Sequence, residues 1–83
     1  MTHQLKTWPE YFDALVAEQK TFELRKNDRD FKVNDILKLN RYDPKEGVYT
    51  GEKCICRITY ILQGGSFGLE VGNCILGIKL ISY

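Results

Sequence analysis

The segment from Glu18 to Phe31 is rich in charged residues, and their spacing could serve recognition of a phosphate or a base. On a strand period of two, Glu23 and Arg25 share one face while Phe22 and Leu24 share the other. Arg25 offers a planar fork for a phosphate or a base edge, and Glu23 could accept from an exocyclic amino group. With their neighbours they form a candidate nucleic-acid-binding set: Lys6, Lys20, Glu23, Arg25, Lys26, Asp28, Arg29 and Tyr42.

The same charges could instead mark a solvated strand edge, where they discourage aggregation and pair weakly with nearby acids. The net charge of +1 excludes a uniformly basic nucleic-acid-binding protein, so any binding must depend on one local face. Tyr42 and Phe31 could supply stacking surfaces or could simply complete the core. Both interpretations are compatible with the sequence.

A helix is predicted just before the charged segment. The run T-W-P-E at positions 7–10 is typical of a capping box with Thr7 as N-cap, and Pro9 suits a first helical turn. Apolar residues then recur at helical spacing, which predicts that one face lies in the core. We expect Trp8 to be largely buried on this face, whose other members are Tyr11, Phe12, Leu15 and Val16.

Strands are predicted over residues 21–26, 36–42, 53–62 and 74–82. Asn34 suits a left-handed turn, and the run D-P-K-E-G at 43–47 predicts a turn before the third of these strands. The last strand is apolar on both faces and should be central in its sheet. The glycine-rich segment 63–73 lacks the ending of a P-loop and is predicted to be a turn. We expect one side of the third strand to comprise Cys54, Cys56, Ile58, Tyr60 and Leu62.

Length and composition limit the class of protein. With 83 residues, 43% hydrophobic and 28% charged, the chain should form one globular domain, residues 1–83, with a single small core. No stretch approaches the roughly 20 apolar residues of a membrane span, so we expect a soluble, cytoplasmic protein. The sequence does not set the oligomeric state, and a monomer is the expectation. Cys54, Cys56 and Cys74 lie among apolar residues and should be free, buried thiols. Their spacing does not suit a metal, and no cofactor is expected.

The pattern K-x-x-E-x-R formed by Lys20, Glu23 and Arg25 resembles the motif of the ASCH family, small PUA-like domains linked mainly to RNA. The run K-T-W-P upstream and N-D-R-D-F downstream fit the same resemblance, which is greatest to an uncharacterised ASCH-like family of bacteria and phages. It implies an α+β fold, a PUA-like mixed or antiparallel β-barrel with one N-terminal helix packed on it. It also implies a ligand cleft between helix and barrel, and an N-terminus pinned across the barrel through His3, Leu5 and Lys6. Glu18 stands where the family motif has glycine.

Three functions remain open, and the leading one is a module that binds RNA or a nucleotide, with no catalytic residue assigned. A branch of ASCH domains removes an acyl group from modified cytidine with a lysine base, a threonine nucleophile and a glutamate. Lys20 matches that lysine, but Glu23 holds the threonine's place, so a small amidohydrolase acting on a modified pyrimidine nucleoside is the alternative. The third is a phage or bacterial protein-interaction factor.

Overall fold

The computed structural model describes residues 1–83, which form one mixed sheet of five strands and one helix. In chain order the elements are β1 (Thr2–Thr7), α1 (Pro9–Val16), β2 (Phe22–Lys26), β3 (Ile36–Asp43), β4 (Val48–Gln63) and β5 (Asn73–Ser82). The strand order is β1-β3-β4-β5-β2, with β1 parallel to β3 and the other neighbours antiparallel. Helix α1 is neither long nor apolar enough to cross a membrane. As predicted, β5 is an interior strand, whereas β1 and β2 form the two edges.

The sheet curls until its two edge strands approach each other. Arg25 on β2 donates to the carbonyl oxygen of Lys6 on β1 at 2.7 Å, and Arg29 donates to the carbonyl oxygen of Gln4 at 3.2 Å. In a flat sheet of five strands the two edges would lie about 19 Å apart, which is beyond the reach of an arginine side chain. The protein is therefore an α+β half-barrel with a seam between β1 and β2.

A bulge in β4 reverses the predicted alternation of its side chains. The pairing of β4 with β5 shifts register between Ile58 and Tyr60, and an extra residue on one strand exchanges inward and outward positions beyond it. Cys54, Cys56 and Ile58 are buried as expected, but Tyr60 is exposed and Ile61 packs against the core instead. The prediction that all five residues share one side is therefore wrong beyond Ile58.

Helix α1 starts one residue later than the capping box predicts. Thr7 is the last residue of β1, where it pairs with Arg41 of β3, so it is not the N-cap. Trp8 takes the N-cap position with extended backbone and no side-chain cap, and Pro9 is the first helical residue. The helix buries two side chains, Phe12 and Leu15. The other members of the core are Leu5, Phe31, Leu37, Leu39, Cys54, Cys56, Ile58, Cys74, Leu76 and Ile78.

A buried polar pair holds β1 in place. His3 Nε2 lies 2.8 Å from Asp35 Oδ2, and the ring of His3 packs edge-on against Phe31 at a centroid distance of 4.8 Å. Asp35 also accepts from the backbone N–H of Lys32 at 3.1 Å. The turn before Asp35 contains Asn34 with φ of 78°, as predicted for a left-handed position. The N-terminal strand is thus pinned across the sheet, in agreement with the expectation for His3.

Candidate functional site

An open cleft of about 480 Å³ lies between the start of α1 and the edge strand β2. Three segments converge on it: the end of β1, the first turn of α1, and the chain from Lys20 into β2. We call it the aromatic cleft, and its lining residues are Lys6, Thr7, Trp8, Tyr11, Lys20, Phe22, Glu23, Leu24 and Arg25.

The floor of the aromatic cleft is a charged triad of Lys20, Glu23 and Arg25. The side chain of Glu23 is only 6% exposed. It accepts from Lys20 Nζ at 2.5 Å and from Arg25 Nε at 3.1 Å, and Arg25 Nη2 lies 2.9 Å from it. A carboxylate that is removed from water is costly unless charged partners compensate it, and here two cations do so. The triad therefore carries a net positive charge and is held in one arrangement.

The alternation of β2 explains how the floor and one wall arise from one strand. Glu23 and Arg25 point towards the interior of the half-barrel, while Phe22 and Leu24 point outwards. The shared face of Glu23 and Arg25 was predicted from the sequence. Because this face turns inwards on an edge strand, two apolar side chains remain in contact with solvent.

Aromatic side chains form the walls of the cleft. The rings of Trp8 and Tyr11 are nearly parallel, 17° apart, with centroids separated by 6.1 Å. Lys20 Nζ lies 4.9 Å from the ring centroid of Phe22 and 5.7 Å from that of Tyr11. The cation therefore sits between two aromatic faces, which attract it electrostatically.

The expected burial of Trp8 is wrong, because its side chain is 48% exposed, and Tyr11 is 46% exposed. The helical period does not apply to Trp8, whose ψ of 150° places it before the first helical residue. The core-facing stripe of α1 is narrower than predicted, with Phe12 and Leu15 buried and Val16 partly buried. The aromatic residues at the start of the helix belong to the cleft.

Thr7 is a member of the site that the sequence did not indicate. Its side chain is 3% exposed and lines the aromatic cleft, yet Oγ1 has no hydrogen-bond partner. Most buried hydroxyl groups are paired, so an unpaired one in a cleft wall is unusual. Trp8, Tyr11, Phe22 and Leu24 were also missed as site residues. The sequence did carry one signal for them: Phe22 lies on the opposite strand face from the charged Glu23 and Arg25, so one of the two faces had to leave unusual side chains at the surface.

The structure does not bring all the predicted site residues together. Lys6, Lys20, Glu23 and Arg25 line the aromatic cleft, whereas Lys26 and Asp28 are exposed and do not line it. The two others lie beside it: Arg29 donates to β1 across the seam, and Tyr42 is half-buried beneath Lys6, whose Nζ lies 4.4 Å from its ring centroid.

The three thiols are buried, as predicted. A hydrogen bond with Cys54 and burial raise the pKa of the Cys56 thiol, and the negative charge of Glu23 acts in the same direction. Burial also raises the pKa of Cys74. The hydrogen bond with Cys56 lowers the pKa of the Cys54 thiol. Thiols that stay protonated, as those of Cys56 and Cys74 do, are weak nucleophiles and poor metal ligands. No cluster of three or more histidine, cysteine or acidic side chains is placed to hold a metal ion.

Comparison with known proteins places the chain in a family. Residues 2–78 match the family described as "Domain of unknown function (DUF3850)". The chain is also 39% identical over 57 residues to the "Uncharacterized 12.9 kDa protein in GpA 3'region" of Escherichia phage P2. That match covers 69% of this chain and 50% of the phage protein, so the chain matches only half of its relative's length. Because the family match extends over almost the whole chain, the protein belongs to the DUF3850 family.

Proposed function

We propose that this protein is a PUA-like, ASCH-like domain that binds single-stranded RNA or a nucleotide in the aromatic cleft. The observation that carries the proposal is the pairing of exposed aromatic walls with a buried, positively charged floor. Aromatic faces stack on bases of any sequence, and a fixed set of charged donors suits base carbonyls and phosphates. The assignment to ASCH-like domains is supported by the K-x-x-E-x-R pattern at this floor and by the curled mixed sheet.

Burial of Glu23 argues for this function over a solvated strand edge. An exposed edge would leave its charges in water, where ion pairs contribute about 0–1 kcal/mol. Here Glu23 is enclosed and both of its oxygens are occupied by Lys20 and Arg25. Because the enclosed carboxylate would be costly without its charged partners, Lys20 and Arg25 are held in the positions that face it.

Part of the hydrogen-bonding capacity of the floor remains available for a ligand. Lys20 Nζ donates to Glu23 and to the carbonyl oxygen of Phe22, which leaves one of its N–H groups free. Arg25 uses Nε and Nη2, and its Nη1 donates no hydrogen bond. Both free donors can serve a carbonyl oxygen of a base or a phosphate oxygen.

Titration of short single-stranded RNAs against the parent protein and Arg25→Ala at two salt concentrations tests this function. We expect parent affinity in the micromolar range or weaker, because the net charge is near zero and the cleft is small. Arg25→Ala should lose about 1–3 kcal/mol of binding free energy, whereas Lys26→Ala should change only the salt dependence. Absence of parent binding at low salt, or identical curves for parent and Arg25→Ala, would refute the proposal.

Glu23→Gln distinguishes two roles of the carboxylate in the same assay. If Glu23 accepts from a base, the variant should bind more weakly and with altered base preference. If the carboxylate only repels phosphate, the variant should bind every sequence more tightly. Melting curves of each variant control for loss of the fold, since Glu23 is buried.

A second candidate is a hydrolase acting on a modified pyrimidine nucleoside, and the position of Thr7 favours it. The buried hydroxyl of Thr7 lines the same cleft as Lys20 and Glu23. A hydroxyl nucleophile requires a base within hydrogen-bond reach, and Thr7 makes no hydrogen bond to Lys20. We therefore rank hydrolysis below binding and expect no turnover of acylated cytidine. Turnover that disappears in both Thr7→Ala and Lys20→Ala would reverse this order.

A further inference from the structure

A second groove, of about 340 Å³, adjoins the aromatic cleft along the seam. Lys6 and Arg25 line both depressions, so the two are neighbours with shared walls. We call the second one the cationic groove, and its lining residues are Gln4, Leu5, Lys6, Arg25, Arg29, Asn40 and Tyr49.

The cationic groove differs from the aromatic cleft in charge. Its lining contains three cations, Lys6, Arg25 and Arg29, and no carboxylate. Neither Lys6 nor Arg29 forms an ion pair with any acidic residue, so their charges are not neutralised within the protein. Side-chain amides of Gln4 and Asn40 complete a polar lining. Such a set suits an anionic oxygen better than an apolar group.

Tyr49 gives the groove an aromatic surface of its own. Its ring is 56% exposed and packs edge-on against Tyr42, with centroids 5.0 Å apart. Lys6 Nζ lies 5.9 Å from the ring centroid of Tyr49 and stands between this ring and the aromatic cleft. One cation with an aromatic surface on each side matches the repeat of base, phosphate and base in a single strand.

We propose that the cationic groove holds a phosphodiester and the next nucleotide of a strand whose first base occupies the aromatic cleft. The ligand is then a chain of at least two nucleotides rather than a free nucleotide. Lys6, Arg25 and Arg29 contact the linking phosphate, and Tyr49 stacks on the second base. This assignment rests on the proposed function of the aromatic cleft.

Affinities for pA, pApA and pApApApA, measured by calorimetry at one salt concentration, test the assignment. We expect pApA to bind at least about tenfold more tightly than pA, because a second stacked base and phosphate are added. Arg29→Ala should remove most of this ratio. The matched control Arg57→Ala removes the same charge from an exposed position on β4 outside the groove and should keep the ratio.

Two further probes separate phosphate binding from other causes. Tyr49→Ala leaves the seam bond of Arg29 to Gln4 in place and should also lower the ratio, so the test does not depend on one variant folding. The deoxy probe pdApdA should show the same gain over pdA, since a groove for phosphate does not read the ribose hydroxyl. A gain confined to ribonucleotides would overturn the assignment.

The outcomes for the two proposals are distinct. Two results would overturn the assignment of the cationic groove: equal affinity of the parent for pA and pApA, or an equal effect of Arg29→Ala and Arg57→Ala on the ratio. Either result leaves nucleotide binding in the aromatic cleft intact. Failure of the parent to bind any of these probes overturns both.

Discussion

The guanidinium of Arg25 on β2 donates a hydrogen bond of 2.7 Å to the carbonyl oxygen of Lys6 on β1. A second arm of the same group holds Glu23, so one side chain both closes the seam and fixes the floor of the cleft. Alanine at this position removes both contacts at once. Lysine at this position keeps the positive charge but lacks the planar guanidinium that can donate in two directions. A comparison of Arg25→Lys with Arg25→Ala therefore separates the effect of charge from that of geometry.

Thr7→Val should increase stability and weaken binding. The substitution removes a buried hydroxyl that has no partner, and the unfolding free energy should rise by about 1 kcal/mol. If the hydroxyl contacts the ligand, affinity for short RNA should fall about twofold to tenfold. Urea denaturation and RNA titration measure the two effects.

Thr2→Val is the matched control for this prediction, because Thr2 lies exposed on the same strand. Its hydroxyl can contact water, so neither stability nor binding should change much. A loss of stability in Thr7→Val would contradict the prediction and indicate that the hydroxyl is paired in the free protein.

Trp8→Ala should affect binding more than folding. A fully buried tryptophan costs about 3–5 kcal/mol to truncate, but Trp8 is half-exposed, so we expect a loss of about 1–2 kcal/mol. Loss of a stacking wall should reduce RNA affinity by about 1–3 kcal/mol. Tyr60→Ala, which removes an exposed aromatic ring on β4 outside the cleft, should leave affinity unchanged. Equal RNA affinity of Trp8→Ala and the parent would exclude stacking on this ring.

Local patterns in the sequence predicted much of the fold. The alternation of Glu23 and Arg25 with Phe22 and Leu24 is governed by strand geometry alone, and it is confirmed. The left-handed turn at Asn34 is confirmed, because asparagine tolerates a positive φ. The interior position of β5 is also confirmed, because a strand that is apolar on both faces is buried on both sides.

The parts that sequence patterns missed depend on long-range packing. The bulge near Tyr60 inserts one extra residue in β4, and a period of two cannot reveal it. Thr7 belongs to β1 because it pairs with Arg41, more than thirty positions away, which overrides its capping-box pattern. The aromatic walls combine residues from the start of α1 with residues of β2, and only the folded chain brings these two segments together.

Glu18→Gly should stabilise the protein. Helix α1 ends in a Schellman arrangement, in which Gln19 N–H donates to Ala14 O and Glu18 N–H to Leu15 O, both at 2.9 Å. Glu18 has φ of 57°, a conformation that costs a residue with a Cβ about 1 kcal/mol relative to glycine. The unfolding free energy should therefore rise by about 0.5–1 kcal/mol, as measured by urea denaturation.

Two variants control for other causes in the Glu18 experiment. Glu18→Gln removes the charge but keeps the strain, and Ala17→Gly places glycine at φ of −81°, where it should destabilise. Equal stabilisation by Glu18→Gln would attribute the gain to the helix dipole rather than to the backbone.

Stability at low pH should depend on Asp35. The hydrogen bond with His3 is the main cause that lowers the pKa of Asp35 to about 2. A carboxyl group with a lowered pKa contributes its full stability above the unfolded pKa of about 3.9, and this contribution is lost as pH falls towards 2. The unfolding free energy of the parent should therefore decrease between pH 4 and pH 2 by more than that of Asp35→Asn. Asp30→Asn, at an exposed position, should behave like the parent. Denaturation by urea at pH 5, 3 and 2 gives the comparison, and a difference between parent and Asp35→Asn that stays constant with pH would show that Asp35 is not the titrating group.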